Sequence, residues 1–181
     1  MVLLDRDGVI NVDVPAGVSR IAQIVLIPGS LAALISLSRA GVTLALVTNQ
    51  AGIGRGTVSA DVVAEMHREL AERVVAGGGR LDHFFVSTSA DPLDPDRKPN
   101  PGLIRRAQAV LKFPPASTWL VGDDLRDVQA GRAGGVRPAL VLTGKGVSTR
   151  TSLSSRADLA TIPFFDDLAA FSAALLHGDL A

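Results

Sequence analysis

Short, wholly apolar runs alternate along this chain with longer stretches whose apolar residues recur at helical spacing. Val2-Leu3-Leu4 reads as a buried strand closing on Asp5, and residues 11–27 follow as a connection without a clear period. After Pro28-Gly29-Ser30 the apolar positions Leu31, Leu34, Ile35 and Leu37 share one helical face, and Gly41 follows the end of that helix. Val42 to Val47 is continuously apolar, the pattern of a strand covered on both faces. It runs into Thr48-Asn49-Gln50 and a glycine-rich loop, Ala51 to Gly56. Ser59 is placed to cap a helix reaching Val75, stopped by Gly77-Gly78-Gly79.

The second half repeats the alternation. His83 to Ser87 reads as a strand and Asp91 to Pro99 as a polar, proline-rich loop. Asn100-Pro101 opens a helix to Leu111, with Asn as cap and Pro in the first turn, and Pro114-Pro115 ends it. Thr118 to Val121 is a strand, Leu125 to Ala133 a helix and Ala139 to Leu142 a strand. A Gly/Ser/Thr loop through Ser155 and a last helix capped by Asp166 or Asp167 complete the chain. Strands alternating with helices predict an α/β fold: a single Rossmann-like, doubly wound parallel sheet. The intervals between Asp7, Thr48 and Lys98 are taken up by core elements, so no separate cap domain is expected and residues 1–181 form one domain.

Composition narrows the classes of function. Apolar residues make up 47% of the 181 and aromatics 4%, so the core must be built from Leu, Val, Ala and Ile. Lys and Arg number 18 and Asp and Glu 18, a balance without general attraction for nucleic acid or an anionic membrane. The absence of cysteine excludes disulfides, thiolate metal sites and a cysteine nucleophile. His67, His83 and His177 are scattered, none near the acidic pairs, and His67 and His177 read as surface or packing residues. No apolar run is long enough for a membrane span, and Asp5, Arg6 and Asp7 break any signal-peptide core. A cytoplasmic monomer is expected.

Chemistry enters at the strand ends. Asp5 and Asp7 lie one residue apart before Gly8, and Asp123-Asp124 follow a second apolar run. Like charges this close raise each other's proton affinity unless a cation sits between them. Mg²⁺, bound by carboxylates together with a substrate's phosphate oxygens, would relieve that cost. In parallel sheets ligands bind outside the carboxyl ends of the strands. Asp5, Asp7, Thr48, Asn49, Lys98, Asp123 and Asp124 all follow strand candidates there. Together they match the needs of phosphomonoester hydrolysis. Asp5 would attack phosphorus, Asp7 would protonate the leaving oxygen, and Thr48, Asn49 and Lys98 would hold the phosphoryl group. The metal would be held by Asp5, the backbone carbonyl of Asp7 and Asp123. Arg6, Asn11, Asp13, Gln50, Arg55, Arg97 and Asp124 complete the candidate substrate-binding set. Each residue also has a plainer reading: Asp124 and Asp127, for instance, suit the first turn of a helix.

The ordered motifs LLDRDGVIN (3–11), VTNQAGIGRG (47–56), DRKPNPG (96–102) and VGDDLRDVQAG (121–131) resemble the haloacid-dehalogenase-like (HAD) phosphatases. More narrowly they resemble the D-glycero-D-manno-heptose 1,7-bisphosphate phosphatase group, which includes histidinol-phosphate phosphatases. The resemblance spans residues 2–175. It implies the same roles for Asp5, Asp7, Thr48, Lys98 and Asp123, a part for Arg97 in substrate recognition, and substrate contact by the loop after Asn11. Two departures stand out. Members often carry a zinc loop of three Cys and one His before the Arg-Lys-Pro motif, but here the stretch reads VSTSADPLDPDRKP, so no zinc is expected. Asp124 stands where many relatives have Lys, which would weaken binding of a second phosphate. A phosphorylated sugar such as the heptose bisphosphate is the leading substrate. Histidinol phosphate or another small phosphorylated metabolite is the alternative, and a non-hydrolytic, receiver-like phospho-Asp module is a remote one.

Overall fold

The computed structural model describes residues 1–14, 17–153 and 161–180. Six strands form one parallel sheet in the order β3-β2-β1-β4-β5-β6. They are β1 (Val2–Leu4), β2 (Leu44–Asn49), β3 (His83–Ser87), β4 (Trp119–Gly122), β5 (Arg137–Val141) and β6 (Phe164–Phe165). Among the described residues seven α-helices flank them: α1 (Ser30–Arg39), α2 (Ala51–Gly54), α3 (Ala60–Ala76), α4 (Gly102–Leu111), α5 (Leu125–Ala133), α6 (Gly146–Leu153) and, after the last strand, α7 (Leu168–His177). The order is that of a doubly wound sheet, as expected. Its switch point lies at β1, which pairs with β2 on one side and β4 on the other.

Strand alternation explains why both faces must be covered. Val2 and Leu4 point to one face with Leu44, Leu46, Trp119 and Val121, where Leu34 and Leu37 of α1, Leu70 and Val74 of α3, and Leu168 and Phe171 of α7 close over them. Leu3 points to the other face with Ala45, Val47 and Leu120, beneath Leu103, Ile104 and Ala107 of α4. Full burial of each large side chain contributes about 1.5–3 kcal/mol. With so few aromatics, this two-sided aliphatic core supplies most of that driving force.

Several boundaries differ from the sequence expectation. Asn100 does not cap α4: Pro101 occupies the cap position, and the Asn100 amide instead donates to the Pro92 and Asp94 carbonyls, fixing the preceding loop. Ser59 caps its helix, accepting from the Val62 amide, and of the two candidates Asp166 and Asp167 it is Asp167 that caps the last, accepting from the Ala170 amide. The loop expected after β5 contains α6, a Ser/Thr-rich helix without apolar period, held by Leu153 against Val128, Leu140 and Ile162. The expected end of that loop, at Ser155, lies outside the described residues. The glycine-rich loop after β2 contains the single turn α2, and β6 is a two-residue edge strand. Both are too short to leave a periodic signal.

Candidate active site

The site is assembled where β1, β2 and β4 end side by side. Asp5 continues β1, its amide donating to the Val121 carbonyl of β4 at 2.9 Å. The chain then folds back tightly, the Arg6 carbonyl accepting from the amides of Val9, Ile10 and Asn11. Gly8 is required in this turn: its φ is +82°, and a Cβ there would stand 2.0 Å from an Asp123 carboxylate oxygen. Thr143 ties the same turn to the end of β5 by donating to the Gly8 carbonyl at 2.6 Å.

Lys98 is almost completely buried and its ammonium lies between two carboxylates, 3.0 Å from Asp5 and 2.6 Å from Asp127. Its backbone is clamped by Asn49, whose amide donates to the Lys98 carbonyl at 2.9 Å and accepts from the Lys98 amide at 3.0 Å. Asn49 lines the pocket, but its side chain is committed to placing Lys98 rather than to binding phosphate. Burial alone would lower the Lys98 pKa; Asp127 and Asp5 outweigh it and hold the ammonium charged.

Carboxylate oxygens of Asp5, Asp123 and Asp127 all lie within 4.8 Å of one another. Burial pushes the Asp5 carboxyl up to about 6, against the pull of Lys98, with Asp127 and Asp7 adding to the rise. Asp123 is pushed to about 8, first by burial and then by Asp5, although the Lys145 amide donates to it at 2.8 Å. One lysine cannot neutralise three such carboxylates. The surplus negative charge and the hard oxygen donors fit a divalent cation such as Mg²⁺.

The Asp7 carboxylate is absent from that group. It faces Arg6, Asn11 and Gln50, accepting from Arg6 Nη2 at 2.9 Å, Asn11 Nδ2 at 2.8 Å and Gln50 Nε2 at 3.0 Å. Burial raises its pKa, but Arg6 and the other donors more than reverse this, so the carboxyl titrates below the usual range. Arg6 and Asn11 therefore differ from their expected role. Both are about 1% exposed and turned away from the pocket, onto Asp7.

The remaining candidates line one cavity with Asp5, Asp7, Lys98 and Asp123: Asp13, Thr48, Gln50, Arg55, Arg97 and Asp124. Thr48 is buried, its hydroxyl oxygen accepting from Gln50 at 3.0 Å. The Arg97 guanidinium donates to the Ser89 carbonyl at 2.8 Å; burial and the neighbouring Arg126 and Arg55 lower its pKa. Asp124 caps α5 and is paired with Arg126 through contacts of 3.0 and 2.7 Å, which with its other partners lowers its pKa despite burial.

Three charged pocket residues were outside the expected set: Asp127, Arg126 and Lys145. Asp127 does suit the first helical turn, its Oδ2 accepting from the Asp124 amide at 3.1 Å, while Oδ1 meets Lys98. One carboxylate thus serves both readings, and the capping role masked the other. Gly122 accommodates it, since a Cβ there would lie 2.2 Å from the Asp127 Cβ. Lys145 sits on a loop without pattern and reaches Asp13 at 2.9 Å. Its place between two glycines, Gly144 and Gly146, was the one signal available.

The family model described as "HAD-hyrolase-like" matches residues 96–171. The chain is 39% identical to the D-glycero-beta-D-manno-heptose-1,7-bisphosphate 7-phosphatase of Pseudomonas aeruginosa, covering 98% of each. It is 42% identical to the enzyme of the same name from Neisseria meningitidis serogroup A, over 82% of this chain and 80% of that one. Its structure is similar to that of the D,D-heptose 1,7-bisphosphate phosphatase of Bordetella bronchiseptica complexed with magnesium and phosphate, with a TM-score of 0.91, 34% identity and 98% of each chain covered. Chain-length similarity at this identity, on the same sheet, establishes kinship: the chain belongs to the heptose-1,7-bisphosphate phosphatase family of HAD-like phosphoric monoester hydrolases.

Proposed function

We propose that this chain is a Mg²⁺-dependent phosphatase that removes the 7-phosphate of D-glycero-beta-D-manno-heptose 1,7-bisphosphate. The observation that carries the chemistry is the buried Lys98 ammonium between Asp5 and Asp127, with Asp123 in the same cluster. The names of its relatives support the sugar.

Asp5 is the nucleophile. Lys98 keeps it ionised and oriented, and its carboxylate oxygen attacks phosphorus to give an aspartyl-phosphate. Asp7 protonates the departing sugar oxygen and then takes a proton from the water that cleaves the intermediate. Thr48 presents its hydroxyl to the phosphoryl oxygens at the end of β2. Asp5, Asp123 and Asp127 offer the carboxylates for Mg²⁺, a set that includes Asp127 beside the expected Asp5 and Asp123. Bound there, the ion would neutralise charge on the phosphoryl group.

At the mouth, Arg55 and Arg97 supply positive charge for the second phosphate, and Asp13 suits a sugar hydroxyl. Arg126 pairs with Asp124 and offsets the acidic charge at the position where many relatives carry Lys. The cysteine-free loop over residues 88–100 is braced by Arg97, Asn100, Asp91 and Asp94 through side-chain–backbone hydrogen bonds. Among the described residues no helix is long and apolar enough to cross a membrane. We extend the proposal to action as a cytoplasmic monomer, which sedimentation at working concentration would check.

Phosphate release should be followed with the heptose bisphosphate, histidinol phosphate and a panel of sugar monophosphates, with and without Mg²⁺. The proposal expects marked preference for the bisphosphate, dependence on Mg²⁺ and loss of activity in Asp5→Asn. Equal rates across the panel would remove the substrate assignment, and activity surviving in Asp5→Asn would remove the mechanism.

A further inference from the structure

Arg6 is a large, charged side chain with almost no solvent access, and it does not line the pocket. Burying an arginine is costly unless its charge and its donors are matched. Here the match is Asp7: Nη2 lies 2.9 Å from both carboxylate oxygens and Nε 3.3 Å from Oδ1. The guanidinium is itself held from two other elements. Nη2 donates to the Gln50 oxygen at 3.3 Å, and Nη1 lies 3.5 Å from His67 Nε2 and 3.9 Å from the Met66 sulfur of α3. A guanidinium has no acceptor, so the His67 Nε2 must accept, which makes this ring neutral. The ring is fixed in turn by stacking on Phe84, with centroids 5.1 Å apart.

Asp7 needs such support. A short carboxylate two residues from Asp5 would otherwise rotate away from a like charge, and general acid catalysis demands a defined oxygen within reach of the leaving group. We infer that Arg6, locked by Gln50, His67 and Met66, is a positioning residue that sets the orientation of the Asp7 carboxylate for proton transfer to the leaving oxygen. The inference rests on the reading of Asp7 as the acid given above. In the step concerned, Asp7, ionised in the free site, carries a proton brought in by the monoanionic phosphate ester; Asp5 bonds to phosphorus, the phosphorus–oxygen bond to the leaving group breaks, and that oxygen takes its electron pair and this proton from Asp7. A leaving group that departs stably as an anion does not need the proton, whereas an alkoxide does.

The test is a leaving-group series: kcat/KM for p-nitrophenyl phosphate, less acidic aryl phosphates and an alkyl phosphate. This ratio reports steps through leaving-group release and excludes hydrolysis of the intermediate. Wild type, Arg6→Lys, Arg6→Met and Gln50→Leu are compared. Arg6→Lys keeps the charge but lacks the planar fork that meets Asp7, Gln50 and His67 at once, so it decides the matter if Arg6→Met fails to fold. The expected result for the Arg6 variants is a loss of about 100-fold on the alkyl phosphate, within the range of general acid catalysis, and a loss at least ten times smaller on p-nitrophenyl phosphate. Gln50→Leu should fall between them and wild type. A uniform loss across the series, or none, in the folded variants overturns the inference. A wild type that turns over no member of the series would instead overturn the phosphatase reading.

Discussion

Replacing Lys98 with Met should expose how the active centre is electrostatically built. The side chain is 2% exposed and holds apart two carboxylates, Asp5 at 3.0 Å and Asp127 at 2.6 Å. Met fills most of the volume, so the loss is chiefly of charge. Removing one partner from a buried ion pair costs about 3–5 kcal/mol, and the remaining carboxylates can escape that cost only by protonating. Asp5 already titrates at about 6 with Lys98 pulling it down, so without the lysine it must titrate higher. The sign of the pH dependence follows. A carboxyl whose folded pKa lies above its unfolded value penalises the folded state as pH rises through the folded pKa, and not at all below the unfolded one. In urea unfolding without divalent ions, Lys98→Met should therefore show its full deficit at pH 8 and much of it recovered near pH 4.5. Adding Asp127→Asn should restore part of the stability at pH 8 without restoring activity. Wild-type stability at pH 8, or a deficit of the same size at both pH values, would refute this account of the site.

Mg²⁺ binding measured by calorimetry should strengthen as pH rises from 6 and level off above 8, because the ion must displace protons from Asp123 at about 8 and Asp5 at about 6; affinity independent of pH would contradict the clustering. Gly122→Ala would bring a Cβ to 2.2 Å from the Asp127 Cβ, so it should displace Lys98 and lower kcat by about 100-fold, comparable to losing one electrostatic contact. Phe171→Ala, in the core far from the pocket, should cost about 3–5 kcal/mol in denaturant unfolding, with kcat unchanged below the transition. His67, buried beside Arg6, has its pKa lowered to about 4. It should make the protein lose stability as pH falls below about 6.5, the unfolded value, and His67→Gln should flatten that limb.

Local pattern carried much of this protein. Continuous apolar runs and helical periodicity place five of the six strands and the caps at Ser59 and Asp167, because both faces of a parallel sheet must be covered. The acidic and basic residues at strand ends were legible for the same reason: turns that leave a buried sheet expose whatever polar chemistry they carry. What spacing along the chain could not decide was which neighbours each polar side chain would find. Arg6 and Asn11 look like pocket residues in sequence, yet the turn at Gly8 folds them inward onto Asp7. Asp127 reads as a first-turn helix residue, and only the adjacency of β1 and β4 brings its second oxygen to Lys98. Asn49 and Lys98 are 49 positions apart and meet as a backbone clamp. Burial and charge pairing depend on distances across the sheet. The sequence alone determined which groups were present at the strand ends, and the strand order decided which of them meet as a carboxylate cluster, an ion pair or a hydrogen bond.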